Sequence, residues 1–275
     1  GIGASPAVAA VADSAKVAAD TLAIASQIDS LGSSRETDSL FVQRQQRMGR
    51  GERQRTVQHM IGRLQRRSNV RTGEQYNIDT LTRERVRITN RLREYGYYYF
   101  RPDYLEYLAD TTRERHLVDL KMVLAEGIPE AALKPYNIGN VSVRLFSSTG
   151  MGDADSTVYR DTHIWYQQPL KVRHTVLSRA FRIAPGQLAR VGDINSTLTN
   201  LSKLGIFRYV NMAVTPLDSI KGANTIDMEI TAAFDPPLQA ETEADFTYNS
   251  SSFLGPGAPV GLTHNTRYQG GGVHA

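Results

Sequence analysis

A helix that stops on glycine before a run of strand-like residues occurs twice in this 275-residue chain. Near the C-terminal end of the second copy, Ile194, Leu198, Leu201 and Leu204 recur at helical spacing, and Gly205 follows them. A glycine just past a helix end supplies the positive φ that closes the last turn. From Ile206 to Met212 the apolar period switches from helical to two, so a strand is expected to begin at once. In the earlier copy, Ile88, Leu92 and Tyr95 precede Gly96, and Tyr97-Tyr98-Tyr99-Phe100 come next. Superposing the two glycines brings Asp110 near Asp218 and the run Val118–Met122 near Ile226–Ile230. A long-range repeat of this kind is a signature of tandem modules.

The repeat divides the chain. The first module, 51–128, opens with Val57, Met60, Ile61 and Leu64 at helical spacing, with its arginines mostly off that stripe on a solvated face. Asp79 or Thr80 caps the next helix. Tyr97–Tyr107 then reads as a strand, bulged or at an edge because of Pro102, and 116–124 returns as its partner. The second module, 133–235, opens with a strand over Tyr136–Phe146, alternating from Val141 onward. Ser147–Thr157 reads as a loop and 158–167 as one strand carrying Trp165, the single tryptophan, as a packing residue. Helices are expected at about 173–181 and from an Asp193 cap to Gly205, then strands over 208–215 and 225–232. Each module thus reads strand, helix, helix, strand, strand, with the first strand of the first module unlocated. The fold class is α+β.

The two ends differ from the modules. Residues 1–50 read as helical in part, within Val8–Leu31, or as a disordered insertion, with a Gln- and Arg-rich stretch over 36–50 that reads as exposed and partly disordered. At the other end, two alternating runs flank Gly255-Pro256-Gly257-Ala258-Pro259, as an antiparallel hairpin requires. A lone hairpin is marginal by itself, so 236–275 reads as the start of a larger sheet or barrel.

Catalytic chemistry is not legible here. The chain has no cysteine, which excludes thiol nucleophiles, disulfides and cysteine metal sites. It contains no His-Glu-x-x-His pair, nucleophile elbow or Walker loop. Asp153-Ala154-Asp155 is too incomplete for a calcium loop. No catalytic residue, metal ligand or cofactor is assigned, and the chain is not expected to be an enzyme. A net charge of +4 and the arginines from Arg44 to Arg93 support a second reading, a basic tandem α/β protein that binds nucleic acid. The aromatic platforms of single-strand binding are missing beside those arginines, so no nucleic-acid partner is assigned.

The order of elements resembles that of POTRA (polypeptide-transport-associated) domains. The resemblance is closest over Pro169–Ala233, through Val176-Leu177, Pro185-Gly186 and Leu201–Asn211. The segment Arg85–Thr112 resembles the POTRA module before it. Glu241–Gly272, with Asn265-Thr266-Arg267-Tyr268 and its glycine cluster, is similar to the opening strands of an Omp85 barrel of the BamA or TamA/TamL types, the tyrosine run being most like the TamL of Bacteroidota. The resemblance implies tandem modules of small mixed sheets with two helices each, followed by a truncated barrel hairpin. It also implies a periplasmic position at the outer membrane and a role in outer-membrane protein assembly or translocation. The partners it implies are unfolded outer-membrane protein clients and inner-membrane-anchored, TamB-like factors. Such sheets leave their second strand at the edge. Here that strand is Arg208, Tyr209, Val210, Asn211, Met212, Ala213, Val214 and Thr215, and its backbone is the candidate partner-binding site.

Overall fold

The computed structural model describes residues 19, 22–26, 35–112, 117–146, 154–159, 161–167, 172–217, 224–235, 238–242, 245–246, 256–257 and 260–264. Asp153 and most of Val8–Leu31 lie outside them. The chain forms two compact units. Unit 1 comprises 1–141, 182–196 and 214–228; unit 2 comprises 142–181, 197–213 and 229–275.

The first unit begins, among described elements, with helix α1 (Arg35–Gln46), then α2 (Arg50–Gln65) and α3 (Ile78–Glu94). The stretch over 36–50 is therefore mostly helical, and it is not simply exposed: Phe41 and Val42 are buried in the core. In α2, Glu52 reaches back to accept from the Gly49 N–H at 3.1 Å, which satisfies one orphan amide of the first turn. The cap of α3 is Asn77, two or three residues before the expected Asp79 or Thr80. Asn77 Oδ1 accepts from the amides of Asp79 and Thr80 at 2.8 and 3.3 Å, as a short amide side chain just outside a helix can. Leu81, Ile88 and Leu92 then face the core.

At the end of α3 the Tyr97 N–H bonds to Leu92 O and the Gly96 N–H to Arg93 O. With Gly96 at φ +83°, this is the paired-bond glycine stop known as a Schellman motif. A strand does not begin at once. Tyr97 and Phe100 are fully buried, and the chain bends through them into a 3-10 turn at Pro102–Tyr104 before strand β1 (Leu105–Asp110). Aromatic alternation suits a strand, but here the gain from burying two large rings in one cluster sets a turn instead. β1 pairs antiparallel with β2 (Asp119–Leu124), Leu105 opposite Leu124.

The arginines of this unit are less solvated than the apolar stripe suggests. Arg53, 7 % exposed, donates to Gln45 O and Gln46 O and pairs with Glu130 at 2.6 Å. Arg50 donates to Ile128 O, Arg85 to Pro102 O and Arg93 to Phe100 O. A guanidinium carries five donors in a planar fork, so it can tie distant carbonyls together while its stem packs.

Strand β3 (Asn137–Phe146) begins in unit 1, where Ile138 exchanges bonds with Gln187 O and the Gly186 N–H. Its buried residues Ile138, Val141, Val143 and Leu145 shift parity by one after Gly139, and the Asn140 N–H donates to Asp227 at 2.7 Å. Strand β4 (Ala154–Tyr159) and strand β5 (Thr162–Gln167) pair antiparallel. Two strands thus stand where one was expected. Asp161, at φ +61°, makes the tight turn between them. Helix α4 (His174–Ala180) is tied to α5 (Val191–Lys203) by Asn200 Nδ2 donating to Ala180 O. Asp193 lies inside the first turn of α5 rather than at its cap. Gly205, φ +65°, ends the helix region, and strand β6 (Phe207–Pro216) starts two residues later, followed by β7 (Thr225–Phe234). The five strands form one sheet in the order β4-β5-β3-β7-β6. Downstream, β8 (Leu238–Thr242) pairs antiparallel with β11 (Val260–His264), and β9 (Asp245–Phe246) with β10 (Pro256–Gly257).

Candidate partner-binding margin

The eight candidate residues, Arg208 to Thr215, all lie in β6, and among the described residues β6 is the last strand of its sheet, bonded to β7 alone. Among those residues, one side of its backbone is therefore open. Phe207 anchors the start of the strand, buried and 5.1 Å from the Phe234 ring. Beyond it, Val210, Met212 and Val214 are half-buried while Asn211, Ala213 and Thr215 are exposed, the alternation of a strand with one covered face.

Which amides are open is set by two hydrogen bonds. Just past the strand, the Leu217 N–H donates to Thr225 O at 2.9 Å. Alternate residues in an antiparallel ladder turn their backbone groups to the same side. Asn211, Ala213 and Thr215 share the parity of Leu217 and face β7, whereas Val210, Met212 and Val214 face outward. Two local details agree. Pro216, on the outward parity, has no N–H to leave unpaired, and the Met212 N–H donates to Asn211 Oδ1 at 2.9 Å. At the start of β6 the parity is opposite, since Ile206 O accepts from the Asp235 N–H. The change falls where Arg208 and Tyr209 are both exposed, as at a bulge.

Sequence reading missed a second margin. Among the described residues β4 is the other terminal strand of the sheet, and its first four residues fell inside the stretch read as a loop. Beside it Trp165 is 44 % exposed, not a packing residue; it stands opposite Ser156, while Ile164 takes the buried position. β6, with ten residues against six, offers the longer open backbone. Asp155 bonds its own neighbour Ser156 and the Tyr166 hydroxyl, and among the described residues no group of His, Cys, Asp or Glu is arranged to hold a metal ion. No helix among them is long and apolar enough to cross a membrane.

Comparison with known proteins gives one family match, over part of the chain. Residues 62–127 match the POTRA family model, described as a surface antigen variable number repeat. That segment runs from the end of α2 through the β1–β2 pair, whereas the resemblance by sequence is closest further on, over Pro169–Ala233. Members of the POTRA and Omp85 families are non-enzymatic scaffolding and transport components. Among solved structures, the chain is similar to BamA from Haemophilus ducreyi lacking POTRA domains 1-3, at 13 % identity and TM-score 0.45 over 76 % of this chain and 32 % of that one. It is also similar to POTRA1-3 of the periplasmic domain of Omp85 from Anabaena, at 16 % identity and TM-score 0.30 over 65 % and 58 % of the two chains. The N-terminal domain of Omp85 from Thermosynechococcus elongatus gives 16 % identity and TM-score 0.30 over 66 % and 60 %. The chain thus spans about a third of the BamA chain and under two thirds of the two Omp85 fragments. No curated protein matches the chain by sequence.

Proposed function

We propose that this chain is the periplasmic POTRA region of an outer-membrane protein assembly or translocation factor, and that β6 receives extended client segments by backbone pairing. The single observation that carries the reading is the open margin of β6, where Val210, Met212 and Val214 turn their backbone groups away from the sheet. An added strand is held by main-chain hydrogen bonds that need no particular client sequence, which suits a factor handling many unfolded barrels. The module at 51–128 fits the match to residues 62–127, and the module at 133–235 keeps the helix, helix, strand, strand order with two strands, β4 and β5, added between its first strand and its helices. The paired strands β8–β11 and β9–β10 support reading 236–275 as the opening strands of an outer-membrane barrel, which must close to satisfy its backbone in lipid. On this reading the protein sits at the outer membrane with the modules on its periplasmic face. Its relatives on this reading are the BamA and TamA/TamL types, the tyrosine run after Gly96 being most like the TamL of Bacteroidota, and an inner-membrane-anchored, TamB-like factor is a further partner.

The test uses proline as a donor-removing probe. Val210→Pro or Met212→Pro deletes an outward amide, which an edge strand tolerates. A lost hydrogen bond is worth about 1 kcal/mol, so binding of a fluorescent extended client peptide is expected to weaken roughly fivefold while the circular dichroism spectrum is unchanged. Ala213→Pro deletes an amide facing β7 and is expected to unfold the margin itself. Equal client binding by wild type and Val210→Pro would remove the proposal.

A further inference from the structure

A groove in unit 1, with no β6 residue among its described lining residues, carries a charge that the proposed function does not use. Its walls are the C-terminal half of α2 and the end of α3, and its volume is about 670 Å³. Arg63, Arg66, Arg67, Arg87 and Arg91 line it, and no acidic side chain is among its described lining residues. Its floor is apolar: Ala25, Met60 and Tyr95 are buried, and Leu64 is half-buried.

The arginines divide by what they already do. Arg87 is held by Glu84 at 2.7 Å and by Leu64 O, and Arg63 donates to Leu22 O. Arg91 lies over the Tyr95 ring, 5.4 Å from its centre. Arg66 and Arg67 are exposed, and neither makes an ion pair among the described residues. Several like charges around one concavity repel one another unless an anion enters, and a guanidinium matches the geometry of a phosphate in particular.

We infer that this groove binds the phosphate headgroup of an anionic membrane lipid. Two features select a lipid over other phosphates. The cavity is far roomier than a lone phosphate ion requires and falls in the range of sites for small organic molecules. Its cationic rim over an apolar floor matches an amphiphile, as in other basic pockets that hold lipid headgroups. RNA fits less well, because Tyr95, the aromatic side chain in the groove, is buried beneath Arg91 and offers no open face for a base.

The test is flotation of the whole 275-residue chain with vesicles of phosphatidylcholine alone or with about a third phosphatidylglycerol. Binding is expected only to the anionic vesicles. Near such a surface each basic residue contributes about 1 kcal/mol, so the exposed double variant Arg66→Glu with Arg67→Glu is expected to lose at least about tenfold in vesicle affinity. Arg66→Gln with Arg67→Gln should lose a smaller but measurable share, with the circular dichroism spectrum unchanged in both. Arg55→Glu, equally exposed on α2 but outside the groove, should stay within about twofold of wild type. An Arg55→Glu loss as large as the double variant's would assign the binding to diffuse charge and overturn the site. So would the absence of flotation, and so would binding of inorganic pyrophosphate or RNA without binding of anionic vesicles.

Discussion

The two glycine stops use one piece of backbone grammar and reach different ends. After Gly205 the chain extends at once, and β6 keeps only Phe207 fully packed while the rest of its length stays half-covered or open. After Gly96 the chain is pulled inward. Tyr97 and Phe100 are completely buried, and the Gly96 carbonyl accepts from both Tyr98 and Tyr136 amides. A β-carbon on Gly96 would lie 2.7 Å from Leu188 Cδ1 and 3.2 Å from Tyr136 O. Glycine ends both helices, but the bulk of the next few side chains decides whether a strand can leave the core. The open margin in the second half exists because nothing large after Phe207 demands burial.

That contrast can be broken by mutation. The largest effect is expected from Tyr97→Ala, a fully buried ring whose loss costs about 3–5 kcal/mol. Chemical denaturation should show this as a fall in midpoint, whereas Tyr209→Ala, on a residue 51 % exposed in β6, should shift it by less than about 0.5 kcal/mol. Next comes Asp38→Ala. This carboxylate, 2 % exposed, accepts from the Leu188 N–H and from Arg190, both at 3.2 Å. Its removal strands a buried amide and a partly buried cation, a loss of about 2–4 kcal/mol. Gly96→Ala ranks third. Strain at positive φ costs about 1–2 kcal/mol, and the contact with Leu188 adds to it, so it should exceed Gly205→Ala in the same unfolding assay.

The smallest effect sharpens the comparison through pH. In the helix before Gly96, burial pushes the Glu84 carboxyl up, but bonds from Arg87, Ser68 and the Asn69 amide together outweigh it and leave the pKa below the ordinary 4.5. Its stabilisation is therefore complete above that ordinary value and is lost as pH falls through the lower, folded one. In the helix before Gly205, Asp193 moves the other way. Burial raises it above 3.8, against the pull of Arg190 and Arg182, so its contribution is fullest at or below 3.8 and is lost as pH rises through the folded pKa. Glu84→Gln should flatten the acid limb of a melting-temperature profile, and Asp193→Asn should steepen it. Parallel changes in the two variants would contradict these environments.

Much of the second half was legible in the chain. The apolar alternation of β3 and β7, the glycine after α5 and the immediate start of β6 all come from local period, and the edge position of Arg208–Thr215 was implied by the resemblance to POTRA modules. Three features were not legible, for separate reasons. Tyr97–Phe100 alternates in a way that suits either a strand or a packed turn, and only the partners Leu188 and Tyr136, about forty to ninety residues away in sequence, choose between them. α1 offers little apolar periodicity, since it buries Asp38 and Gln45 beside Phe41 and Val42. The arginines of α2 and α3 look like a solvated face because their partners are remote carbonyls, such as Ile128 O for Arg50, 78 positions on. At the candidate margin, the strand could be read from sequence, but which of its amides point outward needed the bond from Leu217 to Thr225.

The Asp38 bridge also bears on how this region can be handled as a fragment. A piece begun at Arg50, the first residue of α2, would look complete by its helices and strands, yet it would leave the Leu188 amide and the Arg190 guanidinium without their shared carboxylate. Its reduced solubility or early melting would then be an artefact of the cut. The smallest faithful excision of this unit starts upstream of Arg35.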